Sequence, residues 1–286
     1  MVKKEIYHFG SPFIDTRIKI NPKISKTNVE KVNITSKFGG ICNTINISRK
    51  LGFINHLIIA AENESNIKSY YRSNQKINFH VFKNHINTRA VIHDSFKSKE
   101  KKTYLSDDIK SSLNLNINTI NNAVILVSYI EDFPINISQF LGCSNIIISD
   151  FNNSLIINRQ NKKFISTVKQ NLLKLNYLFF SNEEIRELLN FLNFFKWKEN
   201  EILQISKINL ISRSSSLIRI GKVNFNRSKI SIKFNLDIKN KNIKKNLKTS
   251  IGNGDIFNIL FAHQIQKKEC IKDLIEVVQS LTNKYI

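Results

Sequence analysis

Apolar positions along this chain follow two rhythms, and the order in which they alternate predicts an architecture. Residues 4–9 (KEIYHF) read as a first strand closing on Gly10. Phe13–Ile20 and Val29–Thr35 read as two further extended pieces separated by the Asn21-Pro22 turn signal. The pair Gly39-Gly40 then opens a helix, Ile41–Leu51, in which Ile41, Ile45 and Leu51 recur at helical spacing. Gly52 follows where a helix C-cap favours glycine. His56–Ala61 and Ile77–Val81 read as strands, and Ala90–His93 with Lys102–Leu105 as a hairpin around the charged, solvated turn SFKSKEKK.

Three apolar runs then alternate with helical stretches: Ala123–Val127, Asn145–Ser149 and Tyr177–Phe180. Short apolar runs with polar flanks mark central strands of a parallel sheet covered on both faces. Strand and helix in alternation predict a doubly wound α/β fold with a mostly parallel sheet flanked by helices. From Ile208 to Phe234 short strands (INLIS, SLIRI, KISIKF) follow one another without helices. Lys239–Lys248 is expected to be an exposed loop, and Glu269–Leu281 a last helix. No internal repeat and no long linker divides the chain, so one domain over 1–286 is expected.

In a doubly wound sheet, ligands sit beyond the carboxyl ends of the strands. The acids placed there are Asp150, straight after IIIS, and Glu183 and Glu184, straight after LFFSN. Glu183 and Glu184 suit the first turn of a helix equally well.

The stretch with the densest chemistry is Thr249–His263, TSIGNGDIFNILFAH. Gly252 and Gly254 allow close approach of the backbone to a ligand and φ > 0. The run after them has the apolar density of a buried helix. A tight loop feeding a helix start leaves N–H groups aimed outward at the positive end of the macrodipole, which suits an anion. Asp255 at its edge repels phosphate, so it reads either as a base working beside the phosphate or as the N-cap of the helix.

Composition narrows the function classes. Of 286 residues, 41% are apolar, which makes this a globular chain. Its net charge of +22 draws anions, but the lysines are spread along the chain. No aromatic stacking motif is interleaved with them, which argues against nucleic acid as the partner. Cys42, Cys143 and Cys270 form no CxxC and no paired framework, which suits a reducing compartment. No signal-peptide h-region follows Lys3 and Lys4, and no apolar run approaches about 18 residues. A cytoplasmic protein without a membrane span is expected.

With these motifs in place, the chain resembles the ribokinase, or PfkB, family of carbohydrate kinases over nearly its whole length. GSPFID resembles the family's opening segment, and FGGICNTINISRKLG its first signature. NTRAVI resembles the lid strand, SDFN the DxN after a central strand, and FSNEE the Asn-Glu segment near magnesium and phosphates. TSIGNGDIF is similar to the second signature, usually D-T-x-G-A-G-D. Of the 8 glycines, six (Gly10, Gly39, Gly40, Gly52, Gly252, Gly254) fall on family glycine positions.

The resemblance implies a sugar site of Asp15, Gly39, Gly40 and Asn43. It implies an anion hole and base formed by Gly252, Asn253, Gly254 and Asp255. Asn182, Ser212 and Ser214 would face ATP, with Glu183 or Glu184 toward Mg²⁺. It also implies a β lid over about 13–36 and 86–106, through which a homodimer would form, and a sugar or sugar phosphate as the small-molecule partner. The implied activity is ATP-dependent phosphorylation of a sugar-like hydroxyl. The alternative is an inactive relative that binds a sugar or nucleotide, motivated by departures from the pattern. Ile185 stands where N-x-x-E has its acid, and Ser212–Leu217 replaces T-x-G-x-x-G without glycine. Asn253 takes the usual Ala position, Thr249 the usual Asp, and Asn63 the acid of V-G-x-D.

Overall fold

The computed structural model describes residues 5–10, 12–21, 31–61, 77–83, 87–94, 103–105, 118–130, 135–151, 162–214, 216–226, 229–239, 253–265 and 270–285. Each run read as a strand becomes one. In chain order these are β1 (Glu5–Gly10), β2 (Pro12–Asn21), β3 (Lys31–Gly40), β4 (Ile54–Ala61), β5 (Ile77–Lys83), β6 (Asn87–Asp94) and β7 (Thr103–Leu105). They continue as β8 (Val124–Tyr129), β9 (Ile146–Asp150), β10 (Tyr177–Ser181), β11 (Asn209–Arg213), β12 (Leu217–Asn226) and β13 (Lys229–Lys239). The helices are α1 (Ile41–Lys50), α2 (Lys162–Leu172), α3 (Ile185–Phe194), α4 (Glu199–Ile205), α5 (Asn253–Ile265) and α6 (Ile271–Tyr285).

Two sheets result. The larger has nine strands in the order β13-β12-β11-β10-β9-β8-β1-β4-β5. From β5 to β11 every neighbour is parallel, and β12 and β13 close that edge as an antiparallel hairpin. The smaller has four strands in the order β3-β2-β6-β7 and joins the two segments expected to form a lid, through the parallel pair β2–β6.

The period-2 alternation of the strands sorts side chains to two faces. Ile6, Val124, Leu126, Ile148, Phe179 and Ile211 pack with Phe257, Leu260 and Phe261 of α5 and Leu274 and Val278 of α6. Phe9, Ile125, Val127, Ile147, Leu178 and Phe180 pack on the other face with Phe164 and Val168 of α2 and Leu188 and Phe191 of α3. Helix α5 is buried along Phe257–Ala262, as the apolar density of Ile256, Phe257, Ile259, Leu260 and Phe261 predicts.

Helix α1 ends on a glycine cap. Gly52 has φ +81°, Gly52 N donates to Arg49 O at 3.0 Å, and Phe53 N donates to Ser48 O at 3.2 Å. That pairing satisfies the last carbonyls and turns Phe53 into the core. Three expectations change. Gly39 and Gly40 do not open the helix: they end β3, paired with Phe13 and Pro12, and α1 begins at Ile41. Strands β12 and β13 run to 10 and 11 residues, longer than the short pieces expected, because each pairs along its length with the other. The last helix begins at Ile271 and runs on to Tyr285. The charged turn over 95–102, the 240–248 stretch and Gly252 lie outside the described residues.

Candidate active site

Strand order locates the crevice before any side chain is considered. From β1 the chain leads to β4 on one side, whereas β8, on the other side of β1, leads on to β9, β10 and β11. Connections that diverge from adjacent parallel strands leave a gap beyond their carboxyl ends. An open cleft lies there, lined by Thr44 of α1, Leu126, Val127 and Ser128 of β8, Ile148 and Ser149 of β9, and Asp255 and Asn258 of α5. Ser149 donates its hydroxyl to Val127 O at 2.9 Å, so its polar head is used within the sheet.

Asp255 is half-buried and is the third residue of α5, inside the first turn and past the cap. The N-cap reading of this acid therefore does not hold, because the helix already begins at Asn253. Gly254 also corrects an expectation: its φ is not positive. A Cβ on it would lie 3.4 Å from Arg213 Nη2 and 3.5 Å from Asp150 Oδ2, ordinary contact distances. Local packing thus accepts a methyl there, and what glycine adds is a bare backbone in the first turn of the helix.

Beside that turn lies a network that the residue patterns did not reveal. Arg213, at the end of β11, places Nη2 2.8 Å from both oxygens of Asp150, at the end of β9. Its Nη1 donates to Asn258 Oδ1 at 2.7 Å and to Gly254 O at 3.2 Å. Asn258 Nδ2 donates in turn to Asp150 Oδ2 at 3.2 Å. The guanidinium lies over the rings of Phe179 and Phe257, 5.1 and 5.6 Å from their centroids. Two signals for this network were in the chain. Arg213 falls inside the degenerate glycine segment, and Asn258 is three residues after Asp255, on the same helix face.

The acids and polar residues of the nucleotide side are partly spent. Glu184 Oε2 accepts the Ser181 N–H at 2.7 Å. Burial pushes the Glu184 carboxyl up, with Asp150 adding to the rise; the Ser181 bonds and Arg213 oppose it. Glu183 is exposed. Ser212 is buried and donates to Asn182 Oδ1 at 3.2 Å. Ser214 closes the β11–β12 turn, its hydroxyl 2.9 Å from Leu217 O and 3.0 Å from Leu217 N. Ile185 begins α3 and packs its side chain against the core.

A second buried network ends at the cleft. His8 of β1 is fully buried, with Nε2 2.9 Å from Asn55 Oδ1 and Nδ1 3.0 Å from Thr44 Oγ1. Asn55 Nδ2 donates to Phe53 O at 3.0 Å, which turns its Oδ1 toward His8 and the Ser48 hydroxyl. Nε2 therefore carries the hydrogen, and Nδ1 accepts from Thr44. Burial, the largest cause, holds His8 down from 6.5 to about 4; its bond to Asn55 partly offsets the fall.

Of the implied sugar ligands the structure describes backbone only. Asp15 sits in β2 opposite Lys37 of β3 and Arg89 of β6. Gly39 and Gly40 lead directly into α1, where Asn43 precedes Thr44 of the cleft. Asn253 opens α5. Among the described residues no three His, Cys, Asp or Glu side chains come together to hold a metal ion. No helix among them is long and apolar enough to cross a membrane.

No family model matches the sequence, and no curated protein matches it. Solved structures do match. A Methanocaldococcus jannaschii nucleoside kinase, an archaeal member of the ribokinase family, aligns with 98% of this chain and 90% of its own at 14% identity, TM-score 0.61. Phosphofructokinase-2 from Escherichia coli aligns over 98% and 92% at 11% identity, TM-score 0.60. Ribokinase from Thermotoga maritima aligns over 97% and 91% at 13% identity, TM-score 0.56. At these identities the likeness is one of fold, and it extends over nearly the whole chain.

Proposed function

We propose that this chain, which has the ribokinase fold, is a kinase that transfers the γ-phosphoryl group of ATP to a hydroxyl of a sugar or sugar-like alcohol. One observation carries the reading: Asp255 stands in the first turn of α5 and lines the cleft at the point where the sheet's connections diverge. The matched structures, a nucleoside kinase, a phosphofructokinase and a ribokinase, support phosphoryl transfer as the class of chemistry.

In this reading Asp255 accepts the proton of the attacking hydroxyl, a role typically worth about 10²–10⁴ in rate. The N–H groups at the α5 start meet the charge that develops on the transferred oxygens. Thr44 and the backbone of Gly39 and Gly40 face the acceptor alcohol, with Asp15 and Asn43 as its further ligands. Asn182 and Ser212 border the donor. The four-stranded sheet closes over the acceptor and excludes water; the same sheet would carry a homodimer contact. Cys143 and Cys270 are free thiols, which suits the cytoplasm.

The metal implied by the resemblance does not fit the described side chains as a resident ion. Asp150 has both oxygens engaged by Arg213, Glu184 caps Ser181, Glu183 is exposed, and among the described residues no three His, Cys, Asp or Glu side chains form a set.

The test is ADP release over a panel of sugars and nucleosides, with wild type and Asp255→Asn side by side. Turnover in the wild type and a fall of roughly two to four powers of ten in the variant are expected. Equal turnover in both would remove Asp255 from the chemistry. A folded wild type that turns over no acceptor would favour the non-catalytic reading, to which Ile185 packed against the core and the Ser214-closed turn already lend support.

A further inference from the structure

Asp150 is the residue of this site whose surroundings are hardest to reconcile with a bound cation. Its side chain is 13% exposed and lies against the first turn of α5. A bare carboxylate there would be an uncompensated buried charge and would repel any anion drawn to the helix start. Arg213, 16% exposed, answers both problems. Nη2 contacts both carboxylate oxygens, Nη1 is held by Asn258 and the Gly254 carbonyl, and the rings of Phe179 and Phe257 lie 5.1 and 5.6 Å from the guanidinium carbon. Asn258 then takes a further lone pair of Asp150 Oδ2.

A magnesium ion needs carboxylate oxygens at about 2.1 Å in near-octahedral order. Reaching Asp150 would mean displacing a guanidinium that is also held by Asn258, the Gly254 carbonyl and the rings of Phe179 and Phe257. The position a cation would take is filled by a side chain.

We propose that Arg213 is the built-in counter-cation of Asp150, standing in for a divalent metal, so that a phosphate group binds at the head of α5 without one. This rests on the reading of the cleft as a phosphoryl-transfer site, and it adds what neutralises that site. Arg213 acts here through Asp150 and is a positioning residue.

The experiment measures inorganic phosphate binding by calorimetry on the intact chain, in EDTA and in excess magnesium. Wild type is expected to bind equally under both conditions. Arg213→Met exposes the Asp150 charge, so its affinity is expected to fall by about tenfold or more in EDTA and to return with magnesium, which the freed carboxylate can ligate. The double variant Arg213→Met/Asp150→Asn lacks that charge and is expected to bind phosphate again, indifferent to magnesium. Magnesium-dependent binding, or no binding, in the wild type overturns the proposal, and neither result depends on the variants folding. An Arg213→Met variant that binds like wild type also overturns it, reducing Arg213 to a strut. A wild type that binds phosphate in EDTA but never turns over defeats the kinase reading alone. One that turns over but binds phosphate only with magnesium defeats this inference alone.

Discussion

Arg213 and Asp150, 63 positions apart in the chain, share one ion pair with Nη2 2.8 Å from each carboxylate oxygen. The pair joins the ends of β9 and β11 to the first turn of α5, and both partners are largely removed from water. A buried pair is costly to break from one side, because the remaining charge keeps its desolvation penalty. Asp150→Ala is therefore expected to lower stability by about 3 kcal/mol in urea unfolding. Replacing both partners, as Asp150→Leu/Arg213→Met, is expected to cost less than that single change. A double variant as damaged as the two singles combined would show that the network acts through packing alone.

His8 makes stability depend on pH in a stated direction. Its folded value, about 4, lies below the ordinary 6.5, so the folded state favours the neutral ring. The stabilisation is complete above pH 6.5 and is lost as the pH falls toward 4, a loss of roughly 3 kcal/mol. His8→Gln should remove this dependence while lowering stability at neutral pH. Parallel urea melts from pH 7 to pH 4 give the comparison, and identical slopes in both proteins would contradict it.

Gly254 offers a test of the site that leaves the fold alone. An added Cβ meets its neighbours at 3.4 Å or more, and alanine favours a helix over glycine by about 1 kcal/mol. Gly254→Ala is therefore expected to fold at least as stably as wild type. Under the kinase reading the methyl narrows the approach to the α5 backbone, and turnover is expected to fall about tenfold or more. Full activity in a well-folded Gly254→Ala would mean that the reacting phosphate sits elsewhere.

Gly221 is the opposite case. A Cβ at this position would lie 2.6 Å from Lys233 O, a backbone atom of the facing strand, where the β12–β13 register shifts. Gly221→Ala must push the hairpin apart, at an expected cost of about 1–3 kcal/mol. Loss of the urea midpoint with no change in phosphate affinity is the expected pair of results. A midpoint equal to wild type would show that the edge hairpin yields freely.

Much of this molecule was legible in residue order because the signals are local. Alternation and apolar runs mark β1, β8, β9 and β10 wherever the chain later puts them, since strand periodicity depends only on neighbours in sequence. Gly52 after the last turn of α1 announced a cap, and a φ of +81° with two capping bonds is what that position required. The buried character of α5 was equally plain, because Ile256, Phe257, Ile259, Leu260 and Phe261 leave little of the helix to give to water. The glycines outside the family pattern were silent: nothing near Gly221 in sequence tells of a carbonyl from the facing strand.

Tertiary structure decided the chemistry of the polar residues. Asp150, Glu183 and Glu184 each end or follow a central strand, and sequence position alone made all three candidates for the ligand site. Only the strand order, which sets β9 two places from β11 and brings α5 across both ends, gives Asp150 an arginine and leaves Glu184 to cap Ser181. Likewise His8, Ser48 and Asn55 are unremarkable in the chain, and become one network only when β1 pairs with β4 beneath α1. The charge and hydrogen-bonding state of a side chain depends on partners within a few ångströms. For these residues those partners arrive from up to 108 positions away.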